Sequence, residues 1–223
     1  MHHDLTFLFK DLLFSHTDVS RLNALQRTSC LFGQGDKADT LYFIEEGLIK
    51  LTRTNDSGGR LILSVCGPND LTGEESLSGG AHLYFAEAEV LSPAVVYKIP
   101  CATIERVKSA HPELAVALVR CLVDSNRSLA QKVELLSLHD VESRILNCLE
   151  QLAKLVEPAE DQGYRLPLTQ LELADLVGAT RETTSTTLNQ LEKRGLVKLS
   201  RRLLTVYLRR GRVASAGGKN GNG

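Results

Sequence analysis

The sequence predicts an α+β fold in three parts: an N-terminal antiparallel β-roll, a long helix suited to dimerisation, and a C-terminal winged helix-turn-helix. Three observations predict it. Short apolar segments punctuated by glycine fill the first half. No Gly or Pro occurs between Pro112 and Pro158. The last third carries two capped helical segments followed by a basic hairpin. The expected divisions are residues 1–110 for the roll, 111–139 for the helix, 140–213 for the winged helix-turn-helix and 214–223 for a disordered tail.

The 223 residues and 43% hydrophobic content suffice for one or two globular domains. In the roll, residues 41–44, 48–52, 61–65, 86–91 and 94–99 read as strands. Between them Gly33, Gly35, Gly47, Gly58-Gly59, Gly67 and Gly79-Gly80 supply the turns of a small antiparallel barrel or roll.

Pro112 suits a first helical position. Ala115, Leu118, Leu122, Ser125, Leu129, Lys132 and Leu136 then follow at alternating spacings of three and four. That is a rough coiled-coil seam, read as a parallel homodimer interface with Cys121 beside it, although a helix packed only on its own domain has the same pattern. Asp140 reads as the N-cap of a second helix from Val141 to Val156, with a hinge at His139-Asp140.

Thr169-Gln170-Leu171-Glu172 is a capping box opening a short helix that ends near Val177-Gly178. Thr180 caps the next, and Gly195 closes it. Two helices joined at Gly178-Ala179 have helix-turn-helix spacing. Residues 196–200, Arg201-Arg202 and residues 203–207 form the hairpin, or wing.

The second of these helices is rich in threonine, a mediocre helix former. At 100° per residue from Arg181, the residues Arg181, Glu182, Ser185, Thr186, Asn189 and Lys193 fall between about 0° and 140°. Thr184, Thr187, Leu188 and Leu191 fall between about 240° and 340°, on the inward side. The outward set suits a DNA major groove. Arginine pairs with guanine, glutamate accepts from cytosine, asparagine pairs with adenine, and hydroxyls reach phosphates. Charge agrees. From Gln162 to Arg212, ten Lys/Arg stand against four acids, leaving +6 here and −7 elsewhere for a net −1. Charge alone would equally fit a solvated basic surface. The DNA-binding set is Arg181, Glu182, Thr183, Ser185, Thr186, Asn189 and Lys193, with Thr169, Gln170, Arg201 and Arg202.

Over nearly its full length the chain resembles the CRP/FNR family of bacterial transcription regulators. Residues 168–197, with Arg181-Glu182-Thr183, look like its helix-turn-helix. Residues 35–52 look like its cyclic-nucleotide-binding-like roll of jelly-roll type, 67–77 like its effector-pocket segment, and 139–145 like its inter-domain junction. The resemblance implies a homodimer on a two-fold symmetric operator, RNA polymerase as a partner, and an effector pocket between roll and helix. The pocket would take Gly73, Glu74, Glu75, Ser76, Tyr84, Phe85, Ser125 and Leu129, and the dimer interface Leu118, Cys121, Leu122, Ser125, Leu129 and Leu136.

Departures narrow the effector. Members that bind cyclic AMP follow their Gly-Glu pair with an Arg-Ser pair; here Gly73-Glu74 match the first, but Tyr84-Phe85 stand at the second. The family's adenine-reading Thr-Ser pair falls at Leu129-Ala130. Cyclic AMP is therefore not the expected ligand. Iron–sulfur members use an N-terminal Cys cluster, whereas Cys30 comes first here. The heme-ligand positions hold Gly73 and Glu75. No cofactor or metal is predicted, and the small-molecule effector is unnamed. A second Arg common on the recognition helix is Thr186 here.

Catalysis is not expected: there are no usefully paired carboxylates, no nucleophile elbow and no P-loop, and His82 and His111 stand alone. The five scattered Cys lack metal-ligand spacing. A thiol-redox switch through Cys121 or another Cys is the alternative. No apolar run nears the ~20 residues of a membrane span and no signal peptide is visible, so the cytoplasm is expected.

Overall fold

A computed structural model describes residues 8–9, 11–78 and 81–207. The Gly79-Gly80 turn, the basic residues Arg209, Arg210 and Arg212, and the expected tail lie outside these residues.

The roll is two four-stranded antiparallel sheets. One has the order β1 (Ser20–Leu25), β8 (Ala94–Pro100), β3 (Thr40–Glu46), β6 (Leu71–Thr72). The other runs β2 (Cys30–Phe32), β7 (Glu87–Val90), β4 (Ile49–Thr54), β5 (Arg60–Cys66). Phe32, Tyr42, Ile44, Ile49, Ala88, Val90 and Val96 pack in one cluster. Alternation along β3 sends Leu41 and Phe43 to another cluster. There they meet Ile99, Ile104, Val107, Leu114 and Leu118.

Those last residues bring in two helices, α1 (Cys101–Ala110) and α2 (Pro112–Leu138). The sequence reading placed the change to helix at His111, and so missed α1. It follows β8 directly, with Pro100 at its N-cap and no turn glycine to announce it. β1 was missed because its side chains are mostly exposed, and it carries a bulge between Leu22 and Leu25. β2 and β6 have three and two residues, too short for a period to register.

Asp140 caps α3 (Val141–Ala153) by accepting from the Ser143 N–H at 2.8 Å. The helix ends three residues before the expected Val156. Next come β9 (Tyr164–Leu166), α4 (Gln170–Val177), α5 (Arg181–Lys193), β10 (Val197–Ser200) and β11 (Leu203–Val206). β11 pairs with both β10 and β9, so the wing is a three-stranded sheet.

The two ends of the molecule share a core. Leu48, Ile62 and Leu91 of the roll pack in one cluster with Leu149, Leu152, Leu173, Leu188 and Leu204. Above it, Arg27 and Lys50 of the roll reach Glu172 of α4 at 2.7 and 2.9 Å.

The seam of α2 needs correction. Leu118 is buried in the core of its own domain, the Lys132 ammonium donates to the Ile62 and Leu63 carbonyls, and Ser125 lines a cavity. Cys121 packs against the roll, and Leu136 is half-buried. Leu122 and Leu129 are exposed. The exposed stripe keeps Leu122 and Leu129 of the expected seam but has Val119, Asn126 and Val133 in place of Leu118, Ser125 and Lys132. The reason is that α2 must also cover the roll, and Leu114, Leu118 and Lys132 do so.

Candidate nucleic-acid interface and effector cavity

The helix-turn-helix is built by its caps. The Thr169 hydroxyl accepts from the Glu172 N–H, and Glu172 accepts from the Thr169 N–H at 2.9 Å, a complete capping box. Gly178 ends α4 at φ +60°, and a Cβ there would stand 2.9 Å from Leu136 on α2. The Arg144 guanidinium donates to the Val177 carbonyl at 2.8 Å and so ties the turn to α3. Thr180 caps α5 by accepting from the Thr183 N–H. Glu192 on α5 accepts from the Leu199 N–H at 2.7 Å, fixing the wing beside the helix.

Around α5 the observed faces follow the angular sorting. Thr184, Thr187, Leu188 and Leu191 are buried. Arg181, Glu182, Thr183, Thr186, Asn189 and Lys193 are exposed, and Ser185 is partly so. The Thr187 hydroxyl donates to the Thr183 carbonyl at 2.9 Å, one turn back. The Thr184 hydroxyl is buried without a partner among the described residues.

A groove of about 490 Å³ runs between the start of α4, the start of α5 and the wing. It gathers Thr169, Gln170, Arg181, Arg201 and Arg202, five members of the expected DNA-binding set from three segments. Glu182, Ser185, Thr186, Asn189 and Lys193 continue along α5 from there. Among the described residues, Arg181, Glu182, Thr186, Asn189 and Lys193 have no intramolecular side-chain hydrogen bond or ion pair. Their donors and acceptors remain open to an external partner.

A second concavity, about 730 Å³, lies between the roll and α2. Of the eight effector residues expected, it includes Glu74 and Ser125. The others serve the roll or face away. Gly73 turns at φ +86° with the Thr40 carbonyl 2.8 Å from where a Cβ would stand. Glu75 accepts from the Phe85 N–H at 3.1 Å. Ser76 is buried, and its carbonyl accepts from the Cys101 thiol. The Tyr84 hydroxyl donates to the Thr40 carbonyl at 2.6 Å. Phe85 is exposed beneath the Arg53 guanidinium, 4.4 Å from its ring centre. Leu129 is on the exposed stripe.

Arg120, Asp124, Ser128 and Glu113 of α2, with Ser64, Cys66 and Asp70 of the roll, were missed. A signal existed: Glu113, Ala117, Arg120, Asp124 and Ser128 recur at helical spacing as a small and polar stripe along one side of the helix. Among the described residues that line it, four carboxylates, Asp70, Glu74, Glu113 and Asp124, accompany the single guanidinium of Arg120. Burial pushes the Glu74 carboxyl up. This lining opposes a ligand with several negative charges.

Burial pushes all five thiols up, Cys121 to about 11 and Cys148 to about 12. A thiol that stays protonated is a poor nucleophile.

Comparison with known proteins agrees with this architecture. Residues 22–111 match the cyclic nucleotide-binding domain, and residues 143–210 match the Crp-like helix-turn-helix domain. The chain belongs to the CRP/FNR family of transcription regulators. The anaerobic regulatory protein of Haemophilus influenzae is 27% identical over 84% of this chain and 73% of that protein. The cAMP-activated global transcriptional regulator CRP of Pasteurella multocida is 27% identical over 80% of this chain and 86% of that one. Among solved structures, a CRP-family transcriptional regulator of Thermus thermophilus superposes with a TM-score of 0.71 at 28% identity, over 84% of this chain and 91% of that one. This chain is a DNA-binding transcription regulator of the CRP/FNR type. Among the described residues no helix is long and apolar enough to cross a membrane.

Proposed function

We propose that the chain acts in the cytoplasm as a homodimer that reads a two-fold symmetric operator, with half-sites about one helical turn (~34 Å) apart. Each copy places α5 in a major groove. Arg181, Glu182 and Asn189 read base edges; Thr183, Ser185, Thr186 and Lys193 support them. Thr169, Gln170, Arg201 and Arg202 hold the backbone. The observation that carries this reading is the partnerless outward face of α5, adjoining the groove that gathers Thr169, Gln170, Arg181, Arg201 and Arg202. Roll, long helix and winged helix-turn-helix divide the labour as sensor, coupler and reader, with RNA polymerase as the further partner.

The cavity between roll and α2 takes the effector. Its carboxylate excess and the absence of arginine beside Gly73-Glu74 argue against cyclic AMP and for a neutral or cationic small molecule.

Site selection from random duplexes with the purified protein tests the DNA reading, with R181A as its control. Loss of Arg181 weakens operator binding by ~1–3 kcal/mol and relaxes preference at one base pair per half-site. Equal losses on operator and random DNA would refute a base-reading role for Arg181. Submicromolar binding of cyclic AMP by calorimetry would refute the effector reading.

A further inference from the structure

Helix α2 is apolar on two sides, and only one is used within the chain. Leu114 and Leu118 cover the roll, and Lys132 is pinned to the Ile62 and Leu63 carbonyls. The helix is thereby fixed in rotation, so the other side cannot turn inward. That side presents Val119 at 58% exposure, Leu122 at 41%, Leu129 at 46% and Val133 at 63%, with exposed Asn126 at its centre. Bare aliphatic side chains in a continuous line mark a surface meant for contact.

Positions 119, 122, 126, 129, 133 and 136 are separated by three and four residues in turn. In heptad terms Val119, Asn126 and Val133 are a positions, and Leu122, Leu129 and Leu136 are d positions. β-branched residues at a with leucine at d favour two parallel strands over three or four. Val116, Val123 and Ala130 follow the a/d line at e and widen it.

We propose that Asn126 is the residue that sets the register and orientation of pairing between two copies of this chain, by hydrogen bonding across the seam to the partner's Asn126. This rests on the homodimer reading above. An amide enclosed between aliphatic layers is costly unless its donor and acceptor are met. Two carboxamides at the same level meet each other, since each supplies a carbonyl and an N–H. A stagger of one heptad sets Asn126 against Val119 or Val133 of the second copy. An antiparallel arrangement sets a layers against d layers and opposes Asn126 with leucine. Every alternative strands a buried amide, whereas the aliphatic positions alone would pack nearly as well in several alignments. The asparagine weakens the dimer and makes it single-valued.

The experiment uses the full chain. Light scattering gives its mass, sedimentation its dissociation constant, and L129C reports alignment. In a parallel, in-register pair the two thiols of L129C face each other and close a disulfide in glutathione buffer, identified by peptide mass spectrometry. With Asn126 in place the expected result is a dimer in which L129C closes nearly completely. N126V should tighten association about tenfold or more, as one further buried aliphatic side chain would. It should also lower the L129C yield or admit trimers, because alignment is no longer enforced. Asn126 is exposed in the single chain, so N126V leaves the fold intact. An N126V protein that tightens yet stays strictly dimeric with an unchanged L129C yield overturns the proposal, as does one that dissociates more readily. A chain that is monomeric with Asn126 present overturns the homodimer reading itself. A dimer in which L129C never closes leaves that reading standing and removes this seam.

Discussion

Replacing Glu172 by Gln measures what clamps the first helix of the helix-turn-helix to the roll. The carboxylate accepts twice from the Arg27 guanidinium at 2.7 and 2.9 Å, from the Lys50 ammonium at 2.9 Å, and from the N–H and hydroxyl of Thr169 at 2.9 Å. Lys50 is 6% exposed in its side chain and, among the described residues, pairs with Glu89 at 3.0 Å as a second carboxylate. Removing one member of a buried ion pair costs roughly 3–5 kcal/mol, because the remaining charge is left without compensation. Arg27 is 25% exposed and Glu89 stays beside Lys50, so the low end applies, about 3 kcal/mol. Glutamine still serves a capping box, so E172Q isolates the ionic part. E172A loses the cap as well, adding about 1 kcal/mol. At ~2–4 °C per kcal/mol for a chain of this size, E172Q lowers Tm by about 6–12 °C at pH 7. The pH dependence has a definite sign. Burial pushes the Glu172 carboxyl up, but the Thr169 N–H and Lys50 outweigh it and hold it below the usual carboxylate range. The contribution is therefore complete above the unfolded value of about 4.3 and is lost as pH falls through the depressed folded value. Scanning calorimetry of both proteins from pH 7 to pH 3 should show the gap in Tm closing below about pH 4. A gap under about 2 °C at pH 7, or one that widens in acid, refutes the reasoning.

Three further outcomes are expected. R202A, at the tip of the wing, should weaken binding to operator and random DNA alike and reduce the salt slope by about 1 in a titration against salt concentration. G178A should cost about 1–3 kcal/mol in denaturant unfolding, since it places a side chain in the left-handed region and 2.9 Å from Leu136. T184V and T187V should differ in sign. Thr184 buries an unpartnered hydroxyl, so valine there raises stability by about 1 kcal/mol; Thr187 donates to the Thr183 carbonyl, so valine there lowers it by a similar amount.

Legibility from sequence divided along local and non-local lines. The capping box at Thr169, the caps at Asp140 and Thr180 and the two faces of α5 depend on residues within one or two turns, and the sequence displays them directly. The groove joining Thr169 and Gln170 to Arg201 and Arg202 required the wing to fold back, which no local pattern contains. The linear motif from Gly73 to Ser76 was read as a pocket. In space Gly73 and Ser76 serve the roll's own packing, Glu74 reaches the cavity, and α2 adds Glu113, Arg120, Asp124, Ser125 and Ser128 to its lining.

The seam of α2 shows most clearly why a pattern alone stops short. Two stripes run along that helix one residue apart. One contains Leu118, Ser125 and Lys132, the other Val119, Asn126 and Val133, and both pass through Leu122, Leu129 and Leu136. The heptad rule accepts either, because a spacing of three and four survives a shift of alternate members. Choosing between them takes knowledge of what the helix does on its other side. Once Leu118 is in the roll's core and Lys132 is tied to the β5 carbonyls, the first stripe is spent within the chain. The second is left facing out. That choice also changes the chemistry of the interface. Read on the first stripe, its polar members would be a serine and a lysine, two blemishes that only weaken a seam. Read on the second, there is a single asparagine between valines at a and leucines at d, and a single asparagine there discriminates among alignments that the aliphatic residues leave nearly equal.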